Sequence, residues 1–312
     1  MEFTKFFKDL SMKDVTIAGG KGASLGEMSS QEIPVPNGFV VLSTAFERFI
    51  EETNLNVQIR AALDKVNTEA MHTVEFASEK IQGLILAESM PDDLKQEISN
   101  SFKELNSKFV AVRSSATSED SVDAAWAGQL NSYLNTTKDD LFDKVKHCWA
   151  SLFTPRAIFY RFEKKLGSTH ISVAVVVQKM VESEKSGIAF SVHPVTEDYN
   201  QLIIESGFGL GEAIVSGSIT PDSFIVSKEP FEIIEEHISD QTRALFKGPS
   251  GGVVWEDIDG SDSTLSQKEV LELSKIILKV EDHYKFPVDV EWAYEKGNFY
   301  IVQSRPITTL KK

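Results

Sequence analysis

Hydrophobic and polar positions change period several times along the chain, and each change predicts an element. Between Ser43 and Val66, the residues Phe46, Phe49, Ile50, Ile59 and Leu63 recur at helical spacing. That predicts a packed helix pair, capped at its start by Ser43 or Thr44. SMPDDLKQEISNSFKEL predicts another helix with Pro91 in its first turn. DDLFDKVKHCWASLFTPRAIFYRFEKK predicts a long helical region interrupted near Pro155, and QKEVLELSKIILKVEDHY an amphipathic helix. The period shortens at KFVAVRSS, ISVAVVVQKMV, SGIAFSV, QLIIE, DSFIVSK and FEIIEEHI, where strands are expected. IPVPNGFVV reads as extended and SATSEDSVDAAWAGQ as a polar loop. This mixture predicts an α+β protein of two lobes, residues 1–172 and 173–312.

The last segment, PVDVEWAYEKGNFYIVQSRPI, predicts a hairpin whose register can be worked out. With Lys296-Gly297-Asn298 as a three-residue turn, Glu295 pairs with Phe299, Glu291 with Gln303 and Asp289 with Arg305. Those last four side chains then share one face. Val288, Val290, Trp292 and Val302 take the other face, towards the core. Two carboxylates, an amide and a guanidinium on one face suit a hard cation and a phosphate together, with Glu291 and Gln303 as oxygen ligands. A solvated sheet face with a cross-strand ion pair has the same residues.

Composition narrows the partners. The 312 residues carry a formal net charge of −15, which argues against non-specific binding to nucleic acid or to an anionic membrane. No apolar run approaches the length a bilayer needs, and the start is too charged for a secretory signal, so a soluble cytoplasmic protein is expected. Cys148 is the single cysteine and reads as a core thiol in a packed helix.

Two further stretches carry candidate phosphate-binding groups. Lys21 lies in AGGKGASLGEM, where flanking glycines let a ligand approach the backbone; the P-loop spacing is absent. Arg113 ends a strand and precedes Ser114, Ser115, Thr117 and Ser118, hydroxyls suited to phosphate oxygens or simply to a capped loop. GFGLGE, after QLIIE, lacks the third glycine of a dinucleotide fingerprint and reads as a tight strand-to-helix turn.

GGKGASLGEM, IPVPNGFVV, AVRSSATSED, AWAGQLNSYLN, CWASLFTPRAIFYR, VVVQKMV, SGIAFSVHP, ESGFGLGEAIVSGSITPDSF, DVEWAYE and IVQSRP follow one another along nearly the whole chain. In this order they resemble the nucleotide-binding domain of phosphoenolpyruvate synthase, pyruvate phosphate dikinase and rifampicin phosphotransferase. The resemblance implies an ATP-grasp fold with ATP held between two lobes. It implies that Lys21 and Arg113 contact phosphates, that Glu291 and Gln303 hold Mg²⁺, and that Arg305 acts on the transferring phosphoryl group near Asp289. It further implies that Gly128 and Ser132 belong to a loop over the phosphates. Gln178, Met180 and Val181 would read the adenine edge, and Glu205 would lie near the ribose. Serine at 132 departs from the family's usual threonine.

The resemblance also implies transfer to a histidine carried on a separate domain, and no segment of this chain matches that domain. His170, in LGSTHISVAV, only superficially resembles its motif, and His72, His147, His193, His237 and His283 lack a paired acid in sequence and read as structural. Two functions follow as expectations. One is an ATP- and Mg²⁺-dependent phosphotransferase component acting on a histidine of another domain or chain. The other is a non-catalytic ATP-binding module. A carboxylate-activating ligase of the wider ATP-grasp group is a third reading.

Overall fold

The valine-dense strand Val173–Lys179, expected to open the second lobe, instead lies in the middle of the first sheet. The computed structural model describes residues 2–117, 132–163 and 172–310. The chain divides into two units, Met1–Glu27 with Asn37–Met180, and Met28–Pro36 with Val181–Lys312. The boundary thus falls after Met180 rather than after residue 172. Pairing of the valine strand on both edges is the reason.

The first unit holds strands β1 (Thr4–Phe6), β2 (Gly38–Val41), β3 (Val110–Ala116), β4 (Ser132–Thr136) and β5 (Val173–Lys179), in the antiparallel order β1-β2-β5-β3-β4. Its helices are α1 (Val15–Ser30, whose end belongs to the other unit), α2 (Ser43–Glu52), α3 (Leu55–Leu63), α4 (Met71–Ala87), α5 (Asp92–Leu105), α6 (Leu141–Ala150) and α7 (Pro155–Glu163). Alternation along the strands sends Phe39, Val41, Val110, Val112, Val173, Val175 and Val177 into a core shared with the helices. Trp149 sits there fully buried, its ring 5.8 Å from Phe46 and 5.0 Å from Phe49. Burying each such large side chain stabilises the fold by roughly 1.5–3 kcal/mol. Cys148 is fully buried as expected; its Sγ lies 3.8 Å from the Val112 carbonyl, and burial pushes its thiol up.

Local details differ from the expectations. The residue capping α2 is Leu42, without a side-chain cap; Ser43 Oγ donates to the Thr16 carbonyl at 3.4 Å and Thr44 Oγ1 is buried with no partner. Pro91 is the N-cap of α5 rather than a residue of its first turn. Helix α4 has no counterpart among the elements expected from the sequence, although Val74, Ala77, Ser78, Ile81 and Ile85 form its buried stripe. Exposed Phe76 and the helix-weakening Gly83 blur that stripe.

The second unit holds β6 (Lys185–Phe190), β7 (Gln201–Phe208), β8 (Asp222–Ser227), β9 (Glu232–His237), β10 (Gln241–Lys247), β11 (Val253–Gly260), β12 (Val288–Glu295) and β13 (Asn298–Pro306), with the short helix α8 (Glu212–Val215) and the long helix α9 (Gln267–Tyr284). Six strands form one sheet, β13-β12-β6-β7-β8-β9, and β10 pairs with β11 in a separate hairpin that was not foreseen. Helix α9 packs on one sheet face. Val270, Leu273, Ile277 and Val280 are buried on the helix, and Val288, Val290, Trp292, Ala189, Ile204, Phe224 and Val226 on the sheet. Two ion pairs tie α9 down, Lys185 to Glu269 at 3.0 Å and Lys228 to Glu281 at 2.7 Å. Burial alone would raise the Glu269 carboxyl. Hydrogen bonds from the Ser266 backbone, Lys185, the Ser266 hydroxyl and Tyr294 outweigh it and hold the group down at about 2. No helix among the described residues is long and apolar enough to cross a membrane.

Candidate functional site

In the first unit, the candidate residues gather on the sheet face opposite the helical core. Arg113 and Ser115 follow one another on that face of β3, two residues apart. Register places Ser132 of β4 opposite Arg113, and Gln178 of β5 opposite Ala111, on the same face. The glycine-rich helix α1 packs here: the Gly22 amide donates to Ser115 Oγ at 3.2 Å, and a Cβ on Gly22 would come within 2.9 Å of Val40. At Gly19 the backbone turns to φ +68°, and a Cβ would lie 2.3 Å from the Ser115 carbonyl oxygen. Only glycine fits, so the sequence AGGKG folds tightly onto β3, with Lys21 half-buried two residues after Gly19. Lys21 is near enough to Cys148 that its charge opposes the burial-driven rise of that thiol.

Ser132 is the first residue of β4 and is exposed. Gly128, expected beside it in a loop over the phosphates, lies outside the described residues, as does His170. Gln178 is buried in β5, and the Met180 amide, two residues on, donates to the Phe109 carbonyl at 3.2 Å. That amide is therefore committed to the fold. Val181 begins the second unit.

In the second unit, the hairpin register pairs Asp289 with Arg305 and Glu291 with Gln303, as the sequence suggests, but by another route. The turn has two residues, Lys296 and Gly297, both at positive φ, so Glu295 opposes Asn298 rather than Phe299. A bulge between Glu291 and Trp292 then inserts Val302 as an extra residue and restores the count. The core position opposite Trp292 consequently belongs to fully buried Ile301, and Val302 is half-buried.

The polar face that results is ordered by side-chain pairing. Asp289 is buried, and exposed Arg305 lies over it: Nε donates to Oδ2 at 2.7 Å and Nη2 lies 2.6 Å from the same oxygen. Burial raises the Asp289 carboxyl, against the pull of the Arg305 charge and hydrogen bond. Nη1 of Arg305 has no partner among the described residues, which leaves the guanidinium braced and still able to donate. Beside this pair, Gln303 Oε1 is buried without a hydrogen-bond partner. An orphaned buried oxygen costs about 1–3 kcal/mol, so this position favours any group that satisfies it. Glu291 stands directly across the ladder from it, half-buried.

The same face continues across the sheet. Glu291 pairs with Ile188 of β6 and Ile188 with Glu205 of β7, so Glu205 lies two strands from Glu291, about 9.5 Å away along the row. Burial raises the Glu205 carboxyl. Phe190, Ile203 and Ile225 form the neighbouring row with Asp289 and are half-buried. This apolar row was not anticipated. Both faces of these strands carry isoleucines and phenylalanines, so alternation gave no signal of which face was open.

The histidines need one correction: His147 does have an acid, Asp143, with Nδ1 3.2 Å from a carboxylate oxygen one helical turn away. His193 Nδ1 accepts from the Val195 and Thr196 amides and closes a surface loop. No group of three or more His, Cys, Asp or Glu side chains able to hold a metal occurs among the described residues. A cation at the hairpin would therefore rest on Glu291, the Gln303 amide oxygen, water and substrate, a donor set of oxygens only, which suits Mg²⁺.

Residues 15–312 match the family model described as the pyruvate phosphate dikinase AMP/ATP-binding domain. A probable phosphoenolpyruvate synthase of Methanocaldococcus jannaschii is 45% identical over 322 residues, covering 100% of this chain and 27% of the relative. The phosphoenolpyruvate synthase of Pyrococcus furiosus is 39% identical over 99% of this chain and 44% of its own length. A probable phosphoenolpyruvate synthase of Archaeoglobus fulgidus is 44% identical over 97% of this chain and 41% of its own. The chain thus spans less than half the length of these relatives.

Proposed function

The chain belongs to the pyruvate phosphate dikinase AMP/ATP-binding domain family, an ATP-grasp-like α+β fold, and on that premise we propose that it binds Mg²⁺ and ATP and passes a phosphoryl group to a histidine on another domain or chain. The observation that carries this reading is the hairpin face, where a braced guanidinium, a half-buried carboxylate and an orphaned amide oxygen stand in adjacent ladder positions. Glu291 and Gln303 would hold the metal, which when bound would withdraw charge from phosphate oxygens.

The protein's own groups do the rest. Arg305, held by Asp289, donates to the phosphoryl oxygens as negative charge spreads over them in transfer. Lys21 and Arg113, with the Ser132 hydroxyl, take up the remaining phosphate charge, which offsets the approach of a polyanion to an acidic protein. For the base, the Met180 amide is already occupied, so the reading groups narrow to the Gln178 side chain, the Met180 carbonyl and the Val181 backbone. Glu205 would accept from a ribose hydroxyl. The incoming histidine nitrogen forms the new bond to phosphorus while the P–O bond to the leaving nucleotide breaks.

A phosphoenolpyruvate synthase-like overall reaction is the extension that the relatives' names support. The test is transfer from ATP labelled separately at the β and γ positions, with Mg²⁺ and a folded histidine-bearing domain supplied in trans. Acid-labile label on the partner is expected, with ADP released where the γ phosphorus is attacked, or AMP released where the β phosphorus is attacked and the γ phosphate travels with it or leaves as orthophosphate. ATP binding with no label on any folded partner would reduce the protein to a nucleotide-binding module.

A further inference from the structure

The segment that follows Val181 is not held only by its own sheet. Along one side runs the β10–β11 hairpin, which is rooted at one end and fastened at the other. At the root, Gln241 Nε2 donates to Asp222 Oδ1 at 3.1 Å and to the Ser206 carbonyl at 3.3 Å, and its Oε1 accepts from the Phe208 amide at 3.2 Å. Asp222 is fully buried and also accepts from the Ser239 amide, the Thr264 amide and the Thr264 hydroxyl. A buried carboxylate with four donors is a rigid anchor.

Two-thirds of the way along, Leu245 bridges Gly209: the Leu210 amide donates to the Leu245 carbonyl at 2.8 Å. Gly209 is held at φ +74°, and a Cβ there would lie 2.3 Å from that carbonyl oxygen. Gly209 in turn donates its amide to the Glu184 carbonyl at 3.0 Å and accepts from Ser186 Oγ at 2.5 Å. At the far end, Lys247 forms an ion pair with Glu182, the residue immediately after Val181. From Gln241 to Lys247 the strand spans roughly 20 Å, so one element, with a register shift between Gln241 and Arg243, links the sheet's buried anchor to residues 182–184.

We propose that this hairpin is a strut that fixes the base-reading segment, with Lys247 the positioning residue that clamps Glu182 and so sets affinity for the adenine end of the nucleotide. The inference rests on the nucleotide-binding reading above and deepens it. Lys247 touches no substrate in this account; it acts through Glu182. A purely stabilising pair on the surface would leave ligand affinities alone or weaken them all together. A strut to the adenine segment weakens only ligands that carry the base.

The experiment measures dissociation constants of the 312-residue chain for ATP, AMP and inorganic tripolyphosphate by calorimetry. Failure of the parent chain to bind ATP would count against the nucleotide-binding reading itself. Given binding, Lys247→Glu is expected to weaken ATP and AMP by about three- to tenfold while tripolyphosphate affinity stays within twofold, since reversing one surface pair changes the free energy by only about 1 kcal/mol. The swapped pair, Lys247→Glu with Glu182→Lys, is expected to recover most of the loss. Equal weakening of all three ligands, unchanged ATP and AMP affinity, or no recovery in the swapped pair would each overturn the proposal. Thermal unfolding of each variant identifies any that is misfolded, and Lys247→Ala, which leaves no repulsion, then serves as the milder variant, with the same outcomes at smaller size.

Discussion

The two units present their candidate residues by opposite means. In the first, Lys21 is delivered by main-chain packing, with Gly19 pressed against the Ser115 backbone so closely that no side chain fits and the Gly22 amide bonded to the Ser115 hydroxyl. In the second, Arg305 is delivered by a side-chain partner, Asp289, on an otherwise ordinary hairpin. The first arrangement ties the site to the fold itself. The second separates them, because a charged side chain can be removed from the hairpin face while the apolar face beneath, with Val290, Trp292 and Ile301, stays packed.

The sharpest way to break that contrast is at Gly19. Gly19→Ala combines an unfavourable φ with a backbone clash, and about 4 kcal/mol of stability is expected to be lost, read by urea unfolding. Nucleotide affinity should fall with it. Arg305→Ala should do the reverse: transfer to histidine falls by about 10²–10³-fold, equivalent to about 3 kcal/mol, while ATP binding changes little and the stability lost by leaving Asp289 unpaired, about 1–2 kcal/mol, stays well below that at Gly19. A stability loss at Arg305 as large as that at Gly19 would erase the distinction.

The smallest effects separate two carboxylates within the second unit by the sign of their pH dependence. Glu269 sits well below its ordinary value, so the folded state binds its proton more weakly than the unfolded chain. Its contribution is present above the ordinary glutamate range and is lost as pH falls towards about 2. Replacing it by Gln should cost on the order of 2 kcal/mol at pH 7, after solvent screening of a partly exposed group, and roughly half that at pH 3. Asp289 is raised, so the folded state holds its proton more tightly, and stability declines as pH rises through the interval just above the ordinary aspartate value. Asp289→Asn should flatten that decline and, at neutral pH, loosen Arg305 enough to lower kcat more than it changes KM for ATP. Unfolding curves at several pH values check both signs.

Much of the hairpin was legible because ladder pairing depends on counting, and Asp289/Arg305 and Glu291/Gln303 came out correctly opposed. The route to that register was hidden. A two-residue turn and a bulge at Val302 each shift the count by one residue, and the shifts cancel. A turn's length and a bulge's position depend on how Ile301 and Trp292 settle into the core, which neighbouring residues do not encode. The valine strand Val173–Lys179 was legible as a strand yet was assigned to the wrong lobe, because local sequence does not choose between sheets. Helix α4 and the β10–β11 hairpin went unread for a related reason. An exposed phenylalanine weakens the helical stripe of the first, and the second is fixed by the distant residues Asp222 and Gly209.

By itself, then, the sequence determined the α+β class, the order of most elements and the residue types of the candidate phosphate- and metal-binding groups, since periodicity and side-chain chemistry are local properties. The tertiary structure alone decided which face of each strand is open, that Asp289 lies beneath Arg305, that Gln303 Oε1 is left unpaired and that a remote hairpin reaches Glu182. These depend on burial and on contacts between residues far apart in the chain, where desolvation and packing set the energies.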